Sequence, residues 1–211
     1  MSNRIITIGR EFGSGGKAIG QIVADKLGIK LYDKELIKLA AEESGLSQDF
    51  IESHDEKPVT SFLFSLAMDA RNMMGSYADT PVNQKAFLAQ FEAIKKLAER
   101  ESCVIVGRCA DYALMDYDNV TSVFITADME DKIQLVSELR NITKDKAIEL
   151  INKTDKNRAN YYNYYSNMKW GVASTYDACI NSSRCSYDGS ADLIIKLSEI
   201  NARISSDNSL E

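Results

Sequence analysis

Hydrophobic and polar positions fall into two regimes along this chain. Arg4 to Ile8 is a short β-branched run that stops at Gly9, the pattern of a buried strand. A glycine-rich stretch, EFGSGGK, follows. Ile19, Ile22, Val23, Lys26 and Leu27 then recur near one face of a helix that Gly28 ends. Ile29 to Tyr32 reads as a second short strand, and Asp33 is placed to cap a helix in which Leu36, Ile37, Leu39 and Ala40 keep the period. Strand, glycine turn, helix, strand, helix is a βαβ opening and predicts an α/β fold on a parallel sheet.

From about Ser47 to Arg100 strand signal almost disappears. Ser61 to Met74 reads as helical. Val82 to Arg100 is a strong amphipathic helix carrying Phe87, Leu88, Phe91, Ile94 and Leu97, and GSYADTP separates the two. A helical block between sheet strands is what an inserted lobe looks like. The sheet resumes at Cys103 to Val106, ending in Gly107-Arg108, and again at Val120 to Thr126, ending near Asp128. Polar residues at those ends lie at the carboxyl edge of the sheet, where open α/β folds bind ligands. Helices are predicted over Met129 to Arg140 and Thr143 to Tyr165, a last strand over Ala178 to Ser182, and a closing helix over Ala191 to Ile204.

Composition narrows the classes. A chain of 211 residues with 45% hydrophobic and 27% charged residues is an ordinary globular domain. Its net charge of −6 argues against a basic nucleic-acid surface, and no apolar run is long enough to span a bilayer. The single histidine, His54, excludes a His-clustered zinc site and leaves no other residue for His-based nucleophile activation. Cys103, Cys109, Cys179 and Cys185 form no C-x-x-C pair, and MSNRIITIGREF has no signal-peptide pattern, so a cytoplasmic protein with reduced thiols is expected.

Three clusters could carry chemistry. A strand, a glycine turn and a helix N-terminus is the layout of a phosphate-binding loop, but G-x-x-x-x-G-K-[ST] fits in neither register. Set on Gly16-Lys17, Glu11 takes the first glycine position and Ala18 the hydroxyl position; set on Gly13-Ser14-Gly15, Gly16 stands for the lysine and Lys17 for the hydroxyl. The turn reads either as a phosphate cradle or as a tight connection without a ligand. Arg108 reads as a phosphate clamp at a strand end or as a surface arginine paired with an acid. Asp111 either meets a polar ligand group or starts the following turn. Asp155 and Arg158 share a helix face, so Asp155 can orient Arg158, or the two form an exposed ion pair of little consequence. Tyr161, Tyr162, Tyr164 and Tyr165 cover too much circumference for one core stripe.

Taken in order, IITIGREFGSGGKAIGQIVADKLGIKLYDKELI, CVIVGRCADYAL, TDKNRANYY and WGVASTYDACINSS resemble the cytidylate kinase-like family of nucleoside monophosphate kinases. The resemblance covers nearly the whole chain. It implies a single α/β kinase-like domain: a three-layer parallel-sheet P-loop core (residues 1–46, 101–142 and 176–205), an inserted helical acceptor-binding lobe (47–100) and a helical lid (143–175). The implied activity is transfer of the γ-phosphoryl group of ATP, with Mg²⁺, to a nucleoside monophosphate, CMP or dCMP being the reference acceptors. Such catalysis rests on positioning and electrostatics. The implied partners are ATP and a small acceptor, with neither nucleic acid nor membrane, and no metal-ligating side chain is assigned.

Carried over by position, Gly13, Ser14, Gly15 and Gly16 cradle phosphate, with Lys17 reaching it from a shifted register and Arg10 helping. Arg108 holds the acceptor phosphate, while Arg158 and Lys17 stabilise the phosphoryl group in flight. Tyr32, Asp33, Asp111 and Asp155 complete the acceptor side, and Tyr176 to Ser183 resembles the strand near the adenine. The chain departs from the family pattern at GSGGKA, at Cys109 in place of an aspartate, and at Ile151 in place of an arginine. It also lacks a recognisable Arg-rich cytosine-reading segment. These departures leave two alternatives: a nucleotide-binding module without catalysis, and a kinase for another small acceptor.

Overall fold

A sheet of parallel strands is the framework on which every candidate residue is hung. The computed structural model describes residues 3–56 and 82–208. Among them five strands occur: β1 (Ile5–Arg10), β2 (Lys30–Tyr32), β3 (Cys103–Val106), β4 (Val120–Thr126) and β5 (Ala178–Asn181). They run in the order β2-β3-β1-β4-β5, every neighbouring pair parallel. Ile5 lies opposite both Cys103 and Val120, which puts the carboxyl ends of β1, β3 and β4 along one edge.

β1 and β3 are central and buried on both faces, which is why their sequences run apolar instead of alternating. The two-residue period still sorts them. Ile6, Ile8, Val104 and Val106 pack with Ile19 and Val23 of α1 (Gly16–Leu27) and Ile194 of the closing helix. Ile5, Cys103 and Ile105 turn the other way, onto Leu36 of α2 (Glu35–Ser44) and Ile94 and Leu97 of α4 (Val82–Arg100). The result is three layers, helices on both faces of the sheet, as expected.

The remaining α-helices among the described residues are α3 (Gln48–His54), α5 (Ala110–Ala113), α6 (Met129–Arg140), α7 (Lys144–Ser166), α8 (Ser182–Cys185) and α9 (Tyr187–Asn208). Thr143, where the predicted helix starts, is the cap of α7, its hydroxyl accepting from the Lys146 amide. The closing helix α9 begins at Tyr187, four residues before the predicted start at Ala191. The helix predicted over Ser61 to Met74 and the GSYADTP stretch lie outside the described residues.

The tyrosines of α7 are explained by packing. Tyr161 and Tyr162 are buried with Phe87, Phe124 and Tyr176, and Tyr165 stacks on Phe87 with centroids 4.0 Å apart and rings 7° from parallel. Tyr164 is left exposed. An aromatic cluster rather than an aliphatic stripe holds α7 down, which is why the segment shows no clean apolar period. Ile151, at the position of the family arginine, is fully buried with Val136 and Ala147 between α6 and α7.

Candidate active site

The glycine turn joins β1 to α1 at the carboxyl edge. Gly15 is left-handed at φ 76°, a conformation that favours glycine, and a β-carbon there would lie 2.3 Å from Cζ of Tyr187, so the ring packs over bare backbone. The Ser14 hydroxyl turns inward and donates to the Glu11 carbonyl at 2.9 Å, so its side chain shapes the turn. The first helical bond of α1 is Ile19 N–H to Gly15 O, 2.9 Å. The amides of Gly16, Lys17 and Ala18 therefore have no intrahelical acceptor. They border a cavity of about 730 Å³ whose walls include Gly13, Leu139, Arg158 and Tyr187.

A second turn follows β3. Gly107, Arg108 and Cys109 are all left-handed, at φ 77°, 56° and 54°. For the two non-glycine residues that conformation costs about 1–2 kcal/mol each, and it turns the Arg108 side chain into the protein, where it is 2% exposed. Its guanidinium is fully engaged. Nε and Nη2 donate to the two oxygens of Asp55 at 2.9 and 2.8 Å, and Nη1 donates to Asp33 Oδ1 at 3.1 Å and Val106 O at 3.2 Å.

Glu56 lies at the centre of the cluster. Its Oε1 accepts from Arg10 Nη1 at 2.6 Å and from the Arg108 amide at 3.1 Å. Its Oε2 accepts from Arg10 Nη2 at 3.0 Å and lies 3.4 Å from Arg158 Nε. Arg158 also donates through Nη1 to the Arg10 carbonyl at 3.2 Å. Lys17 sits on the rim with its side chain 60% exposed and its ammonium 2.8 Å from Asp33 Oδ2.

Electrostatics follow from this crowding. Burial pushes the Glu56 carboxyl up, but Arg10, Arg158 and Arg108 outweigh it and hold the group well below the usual carboxylate range. Asp33 is lowered on the same balance, burial against the Lys17 hydrogen bond and Arg108. Burial and the neighbouring Arg10 bring Arg158 down to about 10, against Glu56, Asp155 and Asp33, which favour its charge. Asp111 goes the other way: burial raises its pKa although the Tyr162 hydroxyl donates to it at 2.5 Å.

Three expectations are corrected here. Asp33 does not cap α2; the cap position is Lys34, and the Asp33 carboxylate is committed to Arg108 and Lys17. Asp155 does not orient Arg158. It accepts the Phe12 amide at 2.6 Å and lies 3.7 Å from Lys132, while Arg158 turns to Glu56. Tyr32 is not brought into the cluster, because its ring is core and its hydroxyl donates to Glu101 at 3.0 Å. Arg10, Lys17, Asp33, Arg108 and Arg158 do converge, with Asp111 behind them on Tyr162.

Sequence reasoning missed Asp55 and Glu56, and Gln90, which donates to Asp55 at 3.0 Å and accepts from Tyr161 at 3.3 Å. It also missed a second buried pair, Lys132 on Glu11 at 2.9 Å, with Thr126 donating to the same oxygen at 2.7 Å. The only available signal was an acidic pair, DE, just after a short helix, which looks the same on any solvated surface.

A glycine turn after the central strand of a five-stranded parallel sheet, with helices on both faces, is the α/β P-loop kinase architecture. The chain belongs to the cytidylate kinase-like family, whose sequence model it matches over residues 5–184. A crystal structure of an uncharacterized protein from Eubacterium ventriosum is similar at 33% identity and a TM-score of 0.70, covering 93% of this chain and 99% of that one. Shikimate kinase from Bacteroides thetaiotaomicron shares the fold at 17% identity and TM-score 0.52, over 93% of this chain and 98% of that one. Shikimate kinase from Acinetobacter baumannii, solved in complex with shikimate, shares it at 12% identity and TM-score 0.50, over 95% of each chain. No curated protein matches the sequence. Family and fold together support a phosphotransferase. Among the described residues no helix is long and apolar enough to cross a membrane.

Proposed function

We propose that the protein transfers the γ-phosphoryl group of ATP to a small anionic acceptor, a nucleoside monophosphate with CMP or dCMP foremost. One observation carries the reading. The guanidiniums of Arg10 from the end of β1 and Arg158 from α7, with the backbone amide of Arg108 after β3, meet on a single carboxylate beside a glycine turn. Two guanidiniums and an amide gathered from separate elements suit phosphate oxygens and the charge that develops in phosphoryl transfer.

The residues fit a polyphosphate. The turn keeps its backbone bare at Gly13, Gly15 and Gly16, three amides lack helical partners, and the adjoining cavity of about 730 Å³ is of nucleotide size. Bound MgATP supplies the transferable group and the metal charge beside it. Among the described residues no set of three or more acidic, histidine or cysteine side chains is arranged to hold a metal, so Mg²⁺ belongs with the nucleotide's phosphates and water.

The chain's own groups divide the work. Lys17, exposed and singly paired, is free to swing from Asp33 toward phosphate. In this reading 143–175, which carries Arg158, is the lid and 47–100 the acceptor lobe, and Arg158 bridges Arg10 of the donor side and Glu56. Asp33 and Asp55 hold the Arg108 fork. The space between Arg10, Arg108, Arg158 and the Tyr161, Tyr162 and Tyr176 rings is only about 20 Å³, room for one water. A bound anion therefore enters by displacing Glu56.

A second reading, a nucleotide-binding module without turnover, is favoured by the pairing of all three guanidiniums with Asp55 and Glu56. A coupled ADP-release assay with MgATP against CMP, dCMP, UMP, AMP and GMP separates the two. Selective turnover that Arg158→Ala and Lys17→Ala reduce supports the kinase. ATP that raises the melting temperature without turnover moves the assignment to the module or to another acceptor, and no ATP effect removes the phosphate-loop reading.

A further inference from the structure

We infer that Arg10 stands in for the lysine that a phosphate-binding loop ordinarily carries, so that the donor phosphates are met by a guanidinium from β1. The inference rests on the phosphotransferase reading above and goes beyond it by assigning the missing charge. Set on Gly15 as the second glycine of G-x-x-x-x-G-K-[ST], the pattern's first glycine falls on Arg10 and its lysine on Gly16. The two positions have exchanged residue types: a cation where glycine is expected, and glycine where the cation is expected.

The geometry gives this exchange a steric cause. A β-carbon built on Gly16 would lie 2.6 Å from Arg10 Cβ and 3.1 Å from Arg10 Cγ. Contacts under about 3 Å cannot be relieved by a flexible chain end when both atoms sit next to the backbone. Gly16 is the first residue of α1, and its backbone lies outside the left-handed region, so its conformation would accept a side chain. The next neighbour, Ile125 Cβ at 3.6 Å, leaves ordinary room. The Arg10 stem is thus the obstacle, and the space holds one cationic side chain, from position 10 or from position 16.

Arg10 needs a second clearance farther out. A β-carbon at Gly107 would fall 2.1 Å from Arg10 Nη1, so the guanidinium crosses the sheet edge over the bare backbone of Gly107. It ends between the glycine turn and Arg108, where donor and acceptor phosphates would face each other. There it already grips a planar anion with both nitrogens, Glu56 at 2.6 and 3.0 Å. A guanidinium fork binds two oxygens at once where an ammonium is a single point charge. Lys17, in this register, occupies the hydroxyl position and remains on the rim with Asp33.

The test compares wild type with Arg10→Gln, Lys17→Ala, Gly16→Lys and the double variant Arg10→Gly with Gly16→Lys. Melting temperatures without nucleotide read the steric exclusion, and calorimetry with MgATP and with pyrophosphate reads the charge. Gly16→Lys should melt well below wild type, and the double variant above Gly16→Lys, because removing the Arg10 stem relieves the overlap. Arg10→Gln should weaken both ligands by about ten- to a hundredfold, the loss of hydrogen bonds to a charged partner. Lys17→Ala should weaken them less, and the double variant should bind them more tightly than Arg10→Gln.

Gly16→Lys as stable as wild type, or a double variant no better than Gly16→Lys, overturns the exchange. So does Arg10→Gln that binds MgATP like wild type. Those outcomes leave the phosphotransferase reading standing if wild type binds MgATP. Wild type that binds neither MgATP nor pyrophosphate overturns both.

Discussion

Arg10 and Glu56 meet fork to fork, Nη1 and Nη2 of the arginine on Oε1 and Oε2 of the glutamate, although they stand 46 positions apart in the chain. The pair lies at the edge of the sheet between two glycine-bearing turns, and Arg108 and Arg158 complete the shell around the carboxylate. A buried carboxylate held by two guanidiniums and a backbone amide has the shape of an anion site filled by the protein itself. Glu56 is also left-handed, at φ 48°, a conformation that a non-glycine residue keeps only when its surroundings hold it.

Glu56→Gln removes the charge and leaves the size. It should destabilise the fold by about 3–5 kcal/mol, because the buried guanidiniums lose their counter-charge. Added inorganic phosphate should then raise the melting temperature of Glu56→Gln more than that of wild type. Equal phosphate shifts in the two proteins would show that Glu56 does not occupy the anion's place.

Acid should reveal the same group. The folded pKa of Glu56 lies below its unfolded value, so the unfolded chain takes up the proton first and the folded state loses stability as pH falls. Its contribution is complete above about pH 4.3. Urea unfolding from pH 6 down to pH 3 should therefore show the gap between wild type and Glu56→Gln narrowing below that value. Asp111 and Asp155, raised by burial, act with the opposite sign in both proteins and cancel in the difference.

Arg158→Ala should lower turnover by about 10²–10³, the cost of losing one preorganised donor to developing charge. Arg108→Ala acts on the fold instead. It strands Asp33 and Asp55 without their fork, and it should cost about 3–5 kcal/mol of stability. Comparing initial rates with denaturant midpoints distinguishes the two.

Lys17→Ala should change stability by less than about 1 kcal/mol, because a largely exposed ammonium gains little from one carboxylate. MgATP affinity should nevertheless fall. A variant with wild-type affinity and turnover would remove Lys17 from the site.

Thiol labelling checks the core. Cys103 and Cys109 are buried, and burial pushes the Cys103 thiol up to about 12, so both should resist iodoacetamide in the native protein. Cys179 is exposed and should react first. Rapid modification of Cys103 would contradict its place between β1 and β2.

The βαβ opening, the parallel sheet, the Thr143 cap and the strand that ends in Gly107-Arg108 were legible because each depends on neighbours within a turn or a pleat. Burial on both faces makes β1 and β3 continuously apolar, and a helical period survives wherever one face meets the sheet. The α7 tyrosines resisted reading for the converse reason: their partners Phe87, Phe124 and Tyr176 come from α4, β4 and the connection before β5.

Spacing by itself determined where the described strands and the long described helices lie, and that a glycine turn and an arginine would share one sheet edge. Tertiary structure alone decided which charges pair. Asp155 passed over Arg158, three residues away, for Phe12 and Lys132, while Arg158 reached Glu56, and Gly16 was kept bare by Arg10. Ion-pair partners are chosen by the cost of leaving a charge desolvated and by which atoms the packed elements bring within reach. Neither quantity exists until the chain is folded.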